Sequence, residues 1–186
     1  MVKLFVLRHA ETGAEKLGIT LGRIDWPLND TGRNFAKIAA QKFIQEHNPD
    51  EIKAIITSPM QRTKQTAEIF QKALGCQMFV ELLIIERNFG EMQGLTWDQF
   101  TEKYPNLKLG NTLERQTNLP SGETIEQVEG RVKLFIEKIK NEYADTNLLI
   151  VTHNGIIRIL RRLFANEAMM DSPDSSNLGL TQLTID

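Results

Sequence analysis

Near its start the chain reads Leu4-Phe5-Val6-Leu7-Arg8-His9, an apolar run typical of a buried strand that ends in an arginine and a histidine. A second run, Leu148-Leu149-Ile150-Val151, ends in a similar way at Thr152-His153. The chain has only 3 histidines, and a random distribution along the sequence would not be expected to place two of them at strand ends. In an open parallel sheet the carboxyl ends of the strands form one rim, and ligands bind along it. We therefore expect both histidines and Arg8 at one site for a negatively charged group.

Strand and helix patterns alternate through the rest of the sequence, without internal repeats or linker-like composition. The predicted helices cover Asn29–Glu46, Ser58–Leu74, Thr96–Lys103, Gly122–Tyr143 and Gly155–Phe164. The predicted strands cover Val2–Leu7, Ala54–Thr57, Met78–Ile85, Leu148–Thr152 and Gly179–Ile185. We expect Ser58 to cap its helix, with Pro59 in the first helical position. The alternation predicts a single α/β domain over residues 1–186, a three-layer sandwich with a mostly parallel sheet and helices on both faces.

Composition narrows the class of protein. With 186 residues, 41% apolar and 25% charged, the chain is long enough for one well-formed core. The net charge of −2 argues against a general affinity for nucleic acid or acidic membranes. Cys76 is the only cysteine, and no signal-peptide or membrane-spanning pattern is evident. These features predict a soluble cytoplasmic protein with a small-molecule partner, and they leave the oligomeric state open.

A basic pocket is predicted at the rim of the sheet. Arg62 lies in the first turn of its predicted helix, where side chains lean back toward the helix N-terminus, so it should reach Arg8. Two guanidinium groups hold phosphoryl oxygens well through paired, charge-assisted hydrogen bonds. The helix N-termini that follow Ser58 and His153 would add N–H donors and a dipole that favours an anion. The segments Glu11–Leu28 and 87–94 have little periodicity, and we expect them to form the walls of this pocket.

The histidines and one glutamate indicate what the pocket does with a phosphate. A neutral imidazole can attack phosphorus, while a second imidazole donates hydrogen bonds to oxygens that gain charge. Glu86, just beyond the third predicted strand, is the best-placed proton donor for the leaving oxygen, because burial would keep it protonated. Glu11 and Glu91 are alternatives for that role. No His-Glu-x-x-His spacing and no glycine-rich nucleotide-binding loop occurs, so we expect neither a metal nor a cofactor.

Five motifs in sequence order resemble those of the histidine phosphatases, the group that includes the cofactor-dependent phosphoglycerate mutases. The Arg-His-Gly-Glu signature of that family is similar to residues 8–11, and a terminal His motif is similar to residues 151–158. The remaining three motifs resemble residues 22–32 (Gly-x-x-Asp-x-Pro-Leu-x-x-x-Gly), residues 58–67 (Ser-Pro-x-x-Arg-x-x-x-Thr-Ala) and residues 86–94 (Glu-x-x-Phe-Gly-x-x-x-Gly). Each motif is weak by itself, but five in the right order are very specific.

The resemblance implies a phosphoglycerate mutase-like fold and assigns a role to each site residue. His9 would be the phosphorylated nucleophile, Glu86 the proton donor, and Arg8, Arg62 and His153 the phosphate pocket, with no metal required. Asn154, beside the second histidine, is a further candidate for phosphate binding.

Three residues depart from the family pattern. Ala10 replaces a glycine, so the backbone there must avoid positive φ. Asn154 replaces another glycine and adds a polar side chain at the edge of the pocket. Glu15 stands where many members carry asparagine, which removes an amide donor. The last two changes bear on the identity of the substrate more than on the type of reaction.

The function predicted from the sequence is a metal-independent phosphomonoester hydrolase, a histidine acid-type phosphatase that works through a phosphohistidine on a small phosphorylated metabolite. One alternative is a cofactor-dependent phosphoglycerate mutase, which must enclose its site to keep water out. The stretch between Glu86 and Ser121 is short for such an enclosure, which favours hydrolysis. A second alternative is a non-catalytic module that binds phosphorylated ligands, although all five catalytic positions are filled.

Overall fold

A computed structural model describes residues 1–105, 119–164 and 176–185. In these ranges one sheet contains β1 (Val2–Arg8), β2 (Ile52–Thr57), β3 (Gln77–Val80), β4 (Asn147–Thr152) and β5 (Leu180–Ile185). The strand order is β3-β2-β4-β1-β5. All neighbouring strands run parallel except β5, which pairs antiparallel to β1 at the edge. The predicted mostly parallel sheet is confirmed.

Helices cover both faces of the sheet, as predicted. They are α1 (Asp30–Glu46), α2 (Gln61–Leu74), α3 (Trp97–Lys103), α4 (Ile125–Glu142) and α5 (Asn154–Phe164). One apolar core joins the sheet to α4 and α5, and contains Val132, Phe135 and Ile157. A second core lies on the other face against α1 and α2, around Phe43 and Phe70. The central strands are buried on both faces, which explains their continuous apolar runs.

Register brings the ends of the three central strands to the same level. In β4, Val151 pairs with Leu7 of β1 on one side and with Thr57 of β2 on the other. The residues that follow these strands therefore emerge side by side at the carboxyl rim. This alignment places the two histidines and Ser58 next to each other although they lie far apart in the sequence.

Two local predictions were wrong. The third strand was expected over Met78–Ile85, but it ends at Val80, and a short 3-10 turn over Leu82–Ile84 follows it. Ser58 was expected to cap the second helix, but α2 begins at Gln61, whose N–H donates to the carboxylate of Asp25 at 2.6 Å. The N-cap is Met60, so Ser58 and Pro59 both precede the helix, and Pro59 is not in the first helical position as predicted. The hydroxyl of Ser58 bonds to a histidine instead.

None of the helices in the described part of the chain is both long and apolar enough to cross a membrane. The described residues include all ten predicted helices and strands in some form. That residues 1–186 form a single domain stays a prediction.

Candidate active site

The two histidines at the strand ends lie in direct contact. The N–H of His9 donates to the carbonyl of Thr152 at 3.0 Å, which continues the β1–β4 ladder by one residue. The rings of His9 and His153 then stand 5.4 Å apart between centroids, edge to face. Both residues are buried. The convergence that the sequence predicted at this rim is therefore present.

Hydrogen bonding selects which nitrogen of His9 is reactive. Its Nδ1 lies 2.8 Å from the carbonyl oxygen of Ala10, which can only accept, so Nδ1 carries the proton. The lone pair of the neutral ring is then on Nε2. Ala10 has no positive φ, as expected, and its N–H donates to Thr66 Oγ1 at 3.0 Å. This backbone is anchored to α2, which holds the His9 ring in place.

Burial and positive charge keep His9 neutral. Desolvation first, and then the nearby Arg62 guanidinium, lower the pKa of His9 from 6.5 to about 3. A neutral imidazole is the nucleophilic form. The same causes lower the pKa of His153 well below its ordinary value.

Ser58 is a site residue whose role the sequence analysis missed. Its Oγ lies 2.7 Å from Nε2 of His153, with both groups buried. The N–H of Ser58 donates to the carbonyl of Val151 at 3.0 Å, which places the hydroxyl beside the end of β4. Its position directly after a buried strand, in the Ser-Pro motif, was the available signal. It was assigned to a helix cap instead.

Arg62 is aimed by backbone carbonyls rather than by a carboxylate. Its Nη2 donates to the carbonyl of Gly22 at 2.7 Å, and its Nη1 to the carbonyl of Ile24 at 3.0 Å. The guanidinium is almost fully buried, and its Nε has no hydrogen-bond partner among the described residues. Gly22 adopts a φ of 52°, a conformation that favours glycine. An arginine that is fixed in this way and still has an unused N–H donor is well suited to binding an anion.

Glu86 has the environment of a proton donor. It is buried, and burial raises the pKa of its carboxyl despite a backbone hydrogen bond and three nearby arginines. The N–H of Arg87 donates to Oε1 at 2.9 Å, so a proton on this carboxyl resides on Oε2. Gly155, at the start of α5, leaves room for the carboxyl: a Cβ there would lie 2.7 Å from Oε1.

The two alternative glutamates lack this environment. Glu11 accepts a hydrogen bond from Asn29 and lies 3.5 Å from Lys16, and the Asn29 contact lowers its pKa. Glu91 accepts from Tyr104 and Lys103, which lower its pKa. Neither lines the cleft that holds His9. Both carboxylates are better suited to staying ionised than to donating a proton.

A cleft of about 130 Å³ opens in front of these groups. Pockets for drug-sized ligands enclose roughly 300–1,000 Å³, so the described walls fit a phosphoryl group with a small part of its ester. The lining residues are Arg8, His9, Ala14, Glu15, Ile19, Thr20, Leu21, Gly22, Arg62, Glu86 and Phe89. Most come from the two aperiodic segments, which confirms those segments as walls. Residues 106–118 lie outside the described residues.

Three further residues named in the sequence analysis differ in their relation to the cleft. His153 is fully buried and is not among the residues that line the described cleft, so its place in the phosphate pocket stays a prediction. Asn154 is the first residue of α5 and is also not in that lining, so its role in phosphate binding stays a prediction. Glu15 does line the cleft, and its carboxylate accepts hydrogen bonds from Thr12 and Asn177. Among the described residues, no cluster of His, Cys, Asp or Glu is arranged to hold a metal ion.

Comparison with known proteins places this site in a family. The model of the histidine phosphatase superfamily (branch 1) matches residues 4–186. Putative phosphoserine phosphatase 2 of Hydrogenobacter thermophilus is 29% identical, with 98% of this chain and 89% of that protein covered. Phosphoserine phosphatase 1 of the same organism is 30% identical, with 86% and 74% covered. The solved structure of Bacillus stearothermophilus YhfR has a TM-score of 0.88 at 23% identity, covering 100% of this chain and 92% of that one.

Proposed function

The chain belongs to the histidine phosphatase superfamily and is a phosphoric monoester hydrolase, and we propose that it works through a phosphohistidine at Nε2 of His9. The observation that carries this proposal is the environment of the His9 ring. Its Nδ1 donates to the carbonyl oxygen of Ala10, and burial beside Arg62 keeps the ring neutral. A nucleophile needs a lone pair directed at phosphorus, and this arrangement leaves one on Nε2.

In the first half of the reaction, Arg8 and Arg62 hold the phosphoryl oxygens, and Nε2 of His9 attacks phosphorus in line with the ester oxygen. The P–N bond forms as the P–O bond to the alcohol breaks. Glu86, which lines the cleft, gives its proton to the departing oxygen and becomes a carboxylate. Because phosphoryl transfer depends mainly on positioning and charge stabilisation, the arginines supply most of the gain in rate.

The second half returns the enzyme to its starting state. A water molecule replaces the alcohol, the Glu86 carboxylate takes its proton, and the oxygen attacks phosphorus. The P–N bond breaks, which releases inorganic phosphate and restores neutral His9. His153 supports both halves: if Ser58 Oγ donates to Nε2, the proton of the neutral ring lies on Nδ1, which has no partner among the described residues. That N–H is then available to a phosphoryl oxygen.

The substrate class follows from the small described cleft and from the relatives. We propose a small phosphorylated metabolite, and O-phosphoserine is the first compound to test because two relatives carry that activity in their names.

The test combines turnover with trapping of the intermediate. Wild-type protein should release phosphate from O-phosphoserine and p-nitrophenyl phosphate with excess chelator present and without added bisphosphoglycerate. The protein is incubated with substrate that carries a labelled phosphoryl group, and the reaction is then quenched. Quenching in acid should destroy the protein-bound label and quenching in alkali should preserve it, as expected for a phosphoramidate. His9→Ala should lose both turnover and label, whereas His47→Gln, which changes the histidine that packs on Phe43, should keep both.

Three results would contradict the proposal. Label that survives in His9→Ala would place the intermediate elsewhere. Strong dependence on bisphosphoglycerate would favour a mutase. Tight binding of phosphate without turnover would favour a binding module.

A further inference from the structure

Glu123 lies behind the proposed proton donor and contacts the loop that carries it. Its Oε2 accepts from the N–H of Asn88 at 2.8 Å, and its Oε1 accepts from Nη2 of Arg23 at 2.8 Å. Arg23 in turn donates through Nε to the carbonyl of Glu86 at 3.1 Å. One carboxylate thus holds the backbone of this loop directly at Asn88 and, through an arginine, at Glu86.

A second arginine extends the contact to the start of this loop. Arg131, on α4, donates to both oxygens of Glu123 at 3.3 Å. Its Nη1 donates to the carbonyl of Leu83 at 2.7 Å, in the turn that precedes Glu86. The side chains of Arg131 and Glu123 are therefore bonded to each other and to the two ends of the segment from residue 83 to residue 88.

The main chain of Glu123 also contacts this segment. Its N–H donates to the carbonyl of Asn88 at 2.8 Å, and its carbonyl accepts from Nε of Arg87 at 2.8 Å. The side chain is 18% exposed, so these contacts are largely shielded from water. A network of this kind, with every oxygen of the carboxylate used, holds one conformation better than isolated surface pairs do.

We propose that Glu123 is a positioning residue for Glu86: it holds the carboxyl at the place from which a proton reaches the leaving oxygen. The inference rests on the proposed function, because it needs Glu86 as the proton donor. Glu123 does not line the described cleft and does not touch the phosphoryl group in this scheme. Its contribution is therefore confined to the proton transfers that Glu86 makes in the two halves of the reaction.

This role has a chemical signature. When the P–O bond breaks, an alkoxide must take a proton from Glu86, while p-nitrophenolate is stable enough to leave without one. A misplaced donor therefore slows the formation of the phosphohistidine from alkyl phosphates and spares its formation from p-nitrophenyl phosphate. Hydrolysis of the phosphohistidine, in which Glu86 acts as a base, is common to both substrates and does not enter kcat/KM. Loss of fold would lower kcat/KM equally for both substrates, so the ratio of the two kcat/KM values separates the positioning role from a merely structural one.

The charge of Glu123 supplies a second signature. Glu86 faces the guanidinium groups of Arg8 on β1, Arg62 on α2 and Arg131 on α4, and each of them favours its ionised form. Glu123 neutralises part of the Arg131 charge at 3.3 Å. Without that carboxylate, Arg131 should lower the pKa of Glu86 further. The alkaline limb of the pH–rate profile, where Glu86 loses its proton, should then move to lower pH.

The experiment compares three variants with the wild type on p-nitrophenyl phosphate and on O-phosphoserine or glycerol phosphate. Glu86→Gln removes the donor, and Glu123→Gln removes the charge while keeping the shape. Glu129→Gln is the matched control, because Glu129 lies in the first half of α4, which begins two residues after Glu123, is 15% exposed and pairs with Lys133 and Arg162, outside the residues that line the cleft. Thermal unfolding of each variant is measured alongside the rates.

Glu86→Gln should lose about 100-fold or more in kcat/KM on the alkyl phosphate, within the range of general acid catalysis. Glu123→Gln should lose about tenfold in kcat/KM on the alkyl phosphate and less than about twofold on p-nitrophenyl phosphate, as a displaced catalytic group does. The alkaline limb of its kcat/KM profile should move to lower pH. Glu129→Gln should match the wild type on both substrates.

Equal losses on both substrates in Glu123→Gln, or wild-type rates on both, would overturn the positioning role while leaving the phosphatase assignment intact. A Glu86→Gln variant without any dependence on the leaving group would overturn the donor assignment and the positioning role together. Wild-type protein that hydrolyses neither substrate would overturn the proposed function itself. The three failures are therefore distinguishable.

Discussion

Gly155→Ala should impair catalysis by displacing the carboxyl of Glu86. The glycine lies in the first turn of α5, and a Cβ built on it would stand 2.7 Å from Oε1 of Glu86 and 3.5 Å from its Cδ. Glu86 cannot simply turn away, because Oε1 also accepts from the N–H of Arg87 at 2.9 Å. The added methyl group and this hydrogen bond therefore compete for the position of one oxygen.

The size of the effect follows from these distances. Ordinary contact with a Cβ begins at 3.4 Å, so Oε1 must move by about 0.7 Å. A displacement near 1 Å can cost a catalytic group about 100-fold in rate. We expect a loss of about ten- to 100-fold in kcat/KM on an alkyl phosphate, and a much smaller loss on p-nitrophenyl phosphate. Loss of the Arg87 hydrogen bond adds a stability cost of about 1 kcal/mol.

The assay is steady-state kinetics on both substrates, with urea unfolding of the same preparations. Gly130→Ala is the matched control, because Gly130 is also helical and nothing lies within 4 Å of its added Cβ. That variant should keep wild-type rates and gain roughly 0.5–1 kcal/mol in stability. A wild-type kcat/KM on the alkyl phosphate in Gly155→Ala would show that the position of Glu86 does not limit the reaction, and would refute the reasoning.

Three further outcomes follow from the buried groups of the site. The pKa of His9 is about 3 in the folded chain against 6.5 ordinarily, so the unfolded chain binds the proton first. The contribution of His9 to the free energy of unfolding is fully present above about pH 6.5 and is lost as the pH falls toward 3. The free energy of unfolding should fall there by up to about 1.4 kcal/mol per pH unit, and His9→Asn should reduce this slope in urea titrations. Ser58→Ala should lower the free energy of unfolding by about 1–3 kcal/mol, because Nε2 of the buried His153 loses its hydrogen-bond partner. Thr101→Ala is the control: it removes an exposed hydroxyl and should lower the free energy of unfolding far less in the same titrations. Arg62→Lys keeps the charge but loses the planar fork held by two carbonyls, so the inhibition constant for inorganic phosphate should rise about tenfold. An unchanged constant would show that the guanidinium does not hold the phosphate.

Much of this architecture was readable in the sequence because it depends on local patterns. Continuous apolar runs identify strands that are buried on both faces, and the residue after each run must stand at the carboxyl rim. That reasoning located His9 and His153, and the position of Arg62 in a first helical turn added the arginine. Five ordered motifs identified the family. The predicted strand over Met78–Ile85 failed after Val80, because apolar content alone does not distinguish an exposed edge strand from the turn that follows it.

Short stretches of sequence were therefore enough to predict which residues reach the rim, because strand ends and helix starts are encoded within a few neighbours. The chemical state of those residues depends on contacts between distant parts of the chain. Ser58 bonds to a histidine 95 positions away, and Glu123 holds a loop 35 positions away, so no local pattern could reveal either contact. Protonation depends on the same long-range packing, because desolvation by distant segments is what keeps His9 neutral and raises the pKa of Glu86.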